Sequence, residues 1–291
     1  MVQKTILLTG GTGFLGSNLL EKLLEQNYKV LVVKRSTSNT HRISHLRDKV
    51  ILFDLEDLDK LFGEHKPNIV IHTACSYGRN GESSIEILRA NFLFGAEILE
   101  KSIKWGVKTF INTDTVLPDN LNYYSRSKAY FREWLKFESS KIKVVNIRLE
   151  HMYGVNDDSN KFIPWLIDQM INSNDKIKLT SGIQKRDFIY ISDVVEAFNI
   201  ILNSNINQNW KVFDIATNNL IEVKELVNEL AEKIELKFKL KIKEKLLFDA
   251  ISYRDGEEMT PMINNSELIK LGWQPKVLFT DGLDKILNNY K

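Results

Sequence analysis

Apolar and polar positions follow two rhythms along this chain, and the rhythm changes near its middle. In the first half, short β-branched and apolar runs alternate with longer segments whose leucines and isoleucines recur three and four residues apart. The runs predict strands over 5–9, 29–33, 51–54, 68–73, 107–112 and 144–149. Pro67 marks the start of the fourth. Helical spacing predicts helices over 17–24, 58–63, 85–105 and 124–139; in the third, Ile85, Leu88, Phe92, Ile98, Leu99 and Ile103 recur at that spacing. Nearly continuous apolar runs belong to strands covered on both faces, as in a parallel sheet. The expectation is an α/β fold with a doubly wound, Rossmann-type parallel sheet, which binds ligands at the carboxyl ends of its strands.

Past Gly154 the pattern loosens. Asn156-Asp157-Asp158-Ser159-Asn160 is a polar loop, and later signals are shorter and less regular. Residues 237–243 alternate strictly between lysine and an apolar residue, which predicts a half-exposed strand. The expected organisation is a Rossmann domain over 1–155 and a smaller α/β substrate lobe over 156–291, with 186–216 returning to the first. The lobe is expected to form the other wall of a cleft.

Composition narrows the picture by exclusion. With 40 basic and 38 acidic residues the net charge is +2, which points neither to nucleic acid nor to a membrane surface. A single cysteine, Cys75, excludes an intramolecular disulfide framework and is read as a small buried residue. No apolar run reaches membrane-spanning length, and no metal-ligand spacing stands out, so a cytoplasmic protein without a metal is expected.

Chemistry enters between the first strand and the first helix. Gly10-Gly11-Thr12-Gly13-Phe14-Leu15-Gly16 satisfies G-x-G-x-x-G through Gly11, Gly13 and Gly16, and the related G-x-x-G-x-x-G through Gly10, Gly13 and Gly16. Glycines there let the chain turn tightly and bring a pyrophosphate to the N–H groups opening a helix. A carboxylate for the ribose 2′-hydroxyl usually follows about 20 residues on. Between Tyr28 and Arg47 there is none; Lys34, Arg35, Arg42 and Arg47 are basic. A guanidinium binds a 2′-phosphate that a carboxylate would repel. NADP(H) is therefore the expected cofactor, with Arg35 and Ser36 nearest the phosphate.

The second chemical signal is Tyr124-Ser125-Arg126-Ser127-Lys128, where four-residue spacing puts phenol and ammonium on one helix face. A neighbouring cation favours the phenolate and is expected to bring Tyr124 toward working pH as a general acid.

With these elements in place, the chain resembles the extended short-chain dehydrogenases/reductases, the class of nucleotide-sugar epimerases, dehydratases and 4-ketoreductases. Thr9–Gly16, Asp54-Leu55, His72-Thr73-Ala74, Asn91, Tyr124 with Lys128, 186–190, 193–195 and 271–275 carry the resemblance over nearly the whole chain. Glu150-His151-Met152-Tyr153-Gly154 and residues 253–259 are most similar to the CDP-abequose and CDP-paratose synthase type of 4-ketoreductase. The resemblance implies NADPH-dependent reduction of a nucleotide-linked, in the first place CDP-linked, 4-keto-6-deoxy or 3,6-dideoxy hexose in deoxysugar and O-antigen biosynthesis. It implies that Gly10, Thr12, Gly13, Phe14, Leu15 and Gly16 hold the pyrophosphate. Asp54 and Leu55 would flank the adenine, Ala74 the nicotinamide, and Lys128 the nicotinamide ribose. Thr113 would hold the substrate oxygen and Tyr124 protonate it, while Arg186 and Arg254 meet the diphosphate. It further implies a homodimer through helices 85–105 and 124–139.

Departures from the pattern sharpen the expectation. Where dehydratases carry a glutamate after Thr-Asp, this chain has Thr115, so dehydration loses its base. The spacing from Thr113 to Tyr124 is short for the class, which leaves Thr113 and Thr115 as alternatives for the substrate contact. His151 stands where many epimerases have asparagine, as a substrate ligand or a packed histidine. A 4-epimerase with tightly bound NAD, and a non-catalytic NADP sensor, are the competing functions.

Overall fold

The computed structural model describes residues 3–290. The chain divides into two compact units. One comprises Met1–Leu149, Val195–Ile215 and Glu267–Trp273; the other comprises Glu150–Val194, Ala216–Ser266 and Gln274–Lys291.

The first unit is built on strands β1 (Thr5–Thr9), β2 (Lys29–Lys34), β3 (Ile51–Asp54), β4 (Ile69–His72), β5 (Thr109–Thr115) and β6 (Lys143–Leu149). A later strand, Trp210–Ile215, joins them, and the order across the sheet is Trp210–Ile215, β6, β5, β4, β1, β2, β3. All pairings in this sheet are parallel. The strand order reverses between β1 and β4, the position at which open parallel sheets bind their ligands.

Helices α1 (Phe14–Glu25) and α2 (Leu58–His65) follow β1 and β3. The expected helix over 85–105 is a composite of α3 (Ser84–Leu88), a π-helical turn (Arg89–Leu93) and α4 (Phe94–Lys104). Helix α5 (Tyr123–Glu138) starts at a capping box in which Asn122 and Ser125 satisfy each other's backbone N–H. One core cluster joins Leu7, Val70 and Phe110 of the sheet to Phe62, Leu99 and Phe131 of the helices. Burying such a side chain contributes about 1.5–3 kcal/mol each. A Cβ on Gly95 would lie 2.6 Å from Cζ of Phe131, so only glycine permits that close approach of α4 to α5.

The second unit contains a three-stranded sheet in the order Leu220–Glu222, Lys185–Tyr190, His151–Tyr153, and a two-stranded pairing of Ile177–Lys178 with Leu246–Leu247. Tyr153, Phe188, Tyr190 and Phe279 pack ring against ring beside the larger of these.

Three expectations change here. Residues 186–190 lie in the second unit's sheet, and the return to the first begins at Val195; Glu267–Trp273 returns as well. No strand forms over 237–243. The helix Val223–Phe238 runs into that segment and ends at Lys239, which is left-handed at φ 56°. The Glu235 carboxylate then accepts the N–H groups of Ile242 (2.6 Å) and Lys243 (2.8 Å), folding the chain back on the helix. Cys75 is partly exposed instead of buried. Among the described residues, no helix is long and apolar enough to cross a membrane, and no cluster of three or more His, Cys, Asp or Glu is arranged to hold a metal.

Candidate active site

The glycine turn is a backbone device. Gly10 has φ +70°, and a Cβ there would lie 2.6 Å from the Ala74 nitrogen. A Cβ on Gly16 would overlap the Gly10 carbonyl oxygen. Gly13 caps α1 without a side-chain acceptor, and no acidic residue occupies the helix's first turn. An uncapped N-terminus with its partial positive charge suits an anion. Across the strand-order reversal, the Thr73 hydroxyl donates to the Thr9 carbonyl (2.7 Å), fixing the chain just before Ala74. These residues fit the pyrophosphate of a nicotinamide dinucleotide.

At the end of β2 the basic residues divide. Lys34 donates to the Asp54 carboxylate at 2.5 Å, so its charge is engaged. Ser36 and Arg35 are exposed, and residues 35–38 close a turn through Ser38 N–H to Arg35 C=O (3.0 Å). Among the described residues, Arg35 has no carboxylate partner. Leu55 follows Asp54 directly, in a short 3₁₀ turn.

The catalytic candidates meet where β5 faces α5. Lys128 is buried, and its ammonium donates to the Thr113 carbonyl at 2.8 Å. The Thr113 hydroxyl donates to the His72 carbonyl (3.0 Å). The Tyr124 ring lies 4.9 Å from that of Tyr77, tilted 36°. Burial pushes the Tyr124 phenol well above the ordinary tyrosine range; Cys75 and Asp114 push the same way, while Thr115 by hydrogen bonding and Arg79 by charge pull it back. This corrects the expectation that Lys128 lowers the phenol. Four-residue spacing puts the two on one helix face, but the ammonium donates to the backbone of β5. Thr115, rather than Thr113, is the threonine whose hydroxyl bears on Tyr124.

Beneath them, His72 is fully buried against Phe94, Phe110 and Phe131, with Nδ1 2.8 Å from the Thr9 hydroxyl. Burial, and then the charge of Lys128, push its pKa down to about 3, so it is a neutral imidazole. Asp114 is walled in: its carboxylate accepts from Arg132 Nε (2.6 Å), Asn146 Nδ2 (2.8 Å) and the Thr115 N–H (2.8 Å). A carboxylate so engaged has its oxygens committed to protein donors. Asn91, in the π-helical turn, binds both the N–H (2.7 Å) and C=O (2.9 Å) of Ser76, and donates to the Ser127 hydroxyl (2.9 Å). It thereby ties the loop after β4 to α5. Tyr77, Arg79 and Arg132 carried no sequence signal; Asn91 had one only through the resemblance.

In the second unit, Arg186 and Arg254 are brought together by a residue without an expected role. Arg186 is buried, donates to the carbonyls of Lys185 (2.5 Å) and Glu258 (2.7 Å), and pairs with Glu257. Arg254 reaches the other oxygen of Glu257 at 2.5 Å. His151 is partly exposed; its Nδ1 lies 2.8 Å from the buried Glu150 carboxylate and its ring packs on Phe188.

The family described as "NAD dependent epimerase/dehydratase family" matches residues 6–216. A CDP-abequose synthase of Salmonella muenchen is 34% identical over 298 residues, covering 99% of this chain and 98% of that protein. A putative UDP-glucose 4-epimerase of Methanocaldococcus jannaschii is 26% identical, covering 97% of each. Among solved structures, the UDP-glucose 4-epimerase of Thermotoga maritima with UDP-glucose superposes with a TM-score of 0.85 at 24% identity, covering 98% of both chains. A Bacillus anthracis dTDP-glucose 4,6-dehydratase in complex with NAD gives 0.82 at 21% identity, covering 98% of this chain and 96% of that one.

Proposed function

Because the chain belongs to the NAD dependent epimerase/dehydratase family, we propose that it is an NADPH-dependent reductase of the 4-keto group of a CDP-linked 6-deoxy or 3,6-dideoxy hexose. The full-length similarity to CDP-abequose synthases supports an enzyme that acts on a nucleotide sugar. The observation that carries the reaction type is the pairing of a protonated, half-buried Tyr124 with an Asp114 whose carboxylate is fully engaged.

When bound, the reduced nicotinamide supplies a hydride to the C4 carbonyl carbon. Tyr124 delivers the proton to the carbonyl oxygen as the C=O bond becomes C–OH, leaving a phenolate. A phenol with a raised pKa enters this step protonated, as an acid must. Thr115 is the threonine proposed to hold the substrate oxygen, in place of Thr113. Lys128, with its remaining N–H groups, holds the nicotinamide ribose and places positive charge near the phenolate as it forms. Dehydration would need a free carboxylate, and the walled-in Asp114 and neutral Thr115 do not offer one.

Arg35 and Ser36 are proposed for the 2′-phosphate, and Gly10–Gly16 with Asp54, Leu55 and Ala74 for the rest of the cofactor. Arg186 and Arg254 are proposed for the substrate diphosphate and His151 for the sugar. A homodimer is proposed through the helices of residues 85–105 and 124–139, where Leu93 (52%), Tyr130 (51%), Trp134 (45%) and Phe137 (74%) are exposed; a monomer by light scattering at micromolar concentration contradicts it. The function is tested by incubating the protein with NADPH and a panel of CDP-, dTDP- and GDP-4-keto sugars. Oxidation of NADPH with the CDP sugars supports it. Epimerisation of a 4-hydroxy nucleotide sugar without net redox replaces it with the 4-epimerase.

A further inference from the structure

The loop after β4 reaches Tyr124 with two side chains that no motif assigns. The Tyr77 ring lies 4.9 Å from the Tyr124 ring, and the Arg79 guanidinium carbon lies 5.0 Å from the centre of Tyr77. The loop is held firmly. Asn91 binds both backbone groups of Ser76, and the Glu82 carboxylate accepts from the Ser76 hydroxyl (2.9 Å) and the Asn80 N–H (2.8 Å). We propose that Tyr77 and Arg79 form a positioning pair for Tyr124, the ring fixing the plane of the phenol and the guanidinium supplying a cation to the phenolate that proton transfer leaves behind.

Charge makes the pair necessary. The groups bearing on the phenol are Cys75 and Arg79 from the loop and Asp114 and Thr115 from β5. Both Cys75 and Asp114 oppose ionisation, so a second cation adds to the charge of Lys128, whose ammonium is held on the Thr113 carbonyl. Arg79 is the charged group of the loop that favours the phenolate. Its guanidinium rests on the π-face of Tyr77, an arrangement that holds a cation in place. Arg79 acts through charge and through Tyr77, so it is a positioning residue.

This inference rests on Tyr124 as the proton donor, but its test does not need substrate. Incorporating 3,5-difluorotyrosine at position 124 acidifies the phenol into a measurable range, and ¹⁹F NMR of the full chain follows its titration. Replacing Arg79 by Met raises the titration midpoint by about half a pH unit at low salt. Added salt shrinks the difference, because Arg79 is exposed and its field is screened. Arg79→Lys restores most of the midpoint, and Tyr77→Ala raises it as Arg79→Met does, because the guanidinium loses its seat. Exposure of Arg79 makes its replacement a mild change to the fold, and Arg79→Gln repeats the test with a polar side chain. A midpoint unmoved in both neutral variants overturns the inference. Failure of the functional reading is separate: the panel of 4-keto sugars then leaves NADPH unoxidised whatever the ¹⁹F titration shows.

Discussion

The glycine turn and the catalytic corner lie in the same unit, yet they are made differently. The turn is local backbone: Gly10, Gly13 and Gly16 shape it within one strand–helix connection, and overlap at a missing Cβ enforces it. The corner gathers the loop after β4, Asn91 of the π-helical turn, the end of β5 and the face of α5, and long-range side-chain bonds hold them. A site made of backbone is robust to chemistry and fragile to volume. A site made of side chains is the reverse. Each half therefore fails in its own way, and variants can separate the two.

The largest effect belongs to the corner. Tyr124→Phe keeps the ring against Tyr77 and removes the proton, so turnover falls by about 10²–10⁴-fold while NADPH affinity, measured by fluorescence titration, stays within about twofold. In the turn, Gly16→Ala drives a methyl into the Gly10 carbonyl. It costs about 3 kcal/mol in denaturant unfolding and weakens NADPH binding. If Gly16→Ala bound NADPH normally, the backbone account of the turn would fail.

His72 gives the corner a pH signature. Its folded pKa of about 3 lies below the unfolded value of ~6.5, so the unfolded chain takes up a proton first as pH falls. The stability it contributes is complete above ~6.5 and is lost progressively toward pH 3, by about 1.4 kcal/mol per unit through the middle of that window. His72→Phe flattens that part of the stability–pH curve in denaturant titrations; a slope equal to the parent's refutes the assignment. The smallest effect is at the cofactor's edge. Arg35→Ala weakens NADPH by about tenfold, or ~1.4 kcal/mol, and leaves NADH alone.

Legibility followed the same division. The sheet and the glycine turn could be read from sequence because each signal is local: apolar runs for strands, spaced glycines for the turn. The Tyr124–Lys128 spacing was legible, but not where the ammonium goes, because the Thr113 carbonyl is presented by packing of β5 on α5. Tyr77 and Arg79 follow no period and match no motif; only the folded loop brings them to the phenol. No strand forms over 237–243, despite its period-two alternation, because the preceding helix runs into it. Leu226, Leu230 and Ile234 at helical spacing carry that helix to Phe238, and the left-handed Lys239 ends it. In the second unit, Glu257 was visible as a letter but not as the partner of two arginines, because Arg186 is 71 residues away from it.

The central claim is that NADPH and Tyr124 together reduce a sugar C4 carbonyl. It is tested most directly by supplying NADPH deuterated at the transferable C4 position of the nicotinamide, with a CDP-4-keto-6-deoxyhexose, and reading the product by NMR and mass spectrometry. The account predicts one deuterium at sugar C4 per cofactor oxidised, in a single configuration, and almost none with Tyr124→Phe. Product without deuterium at C4, or undiminished transfer by Tyr124→Phe, contradicts it.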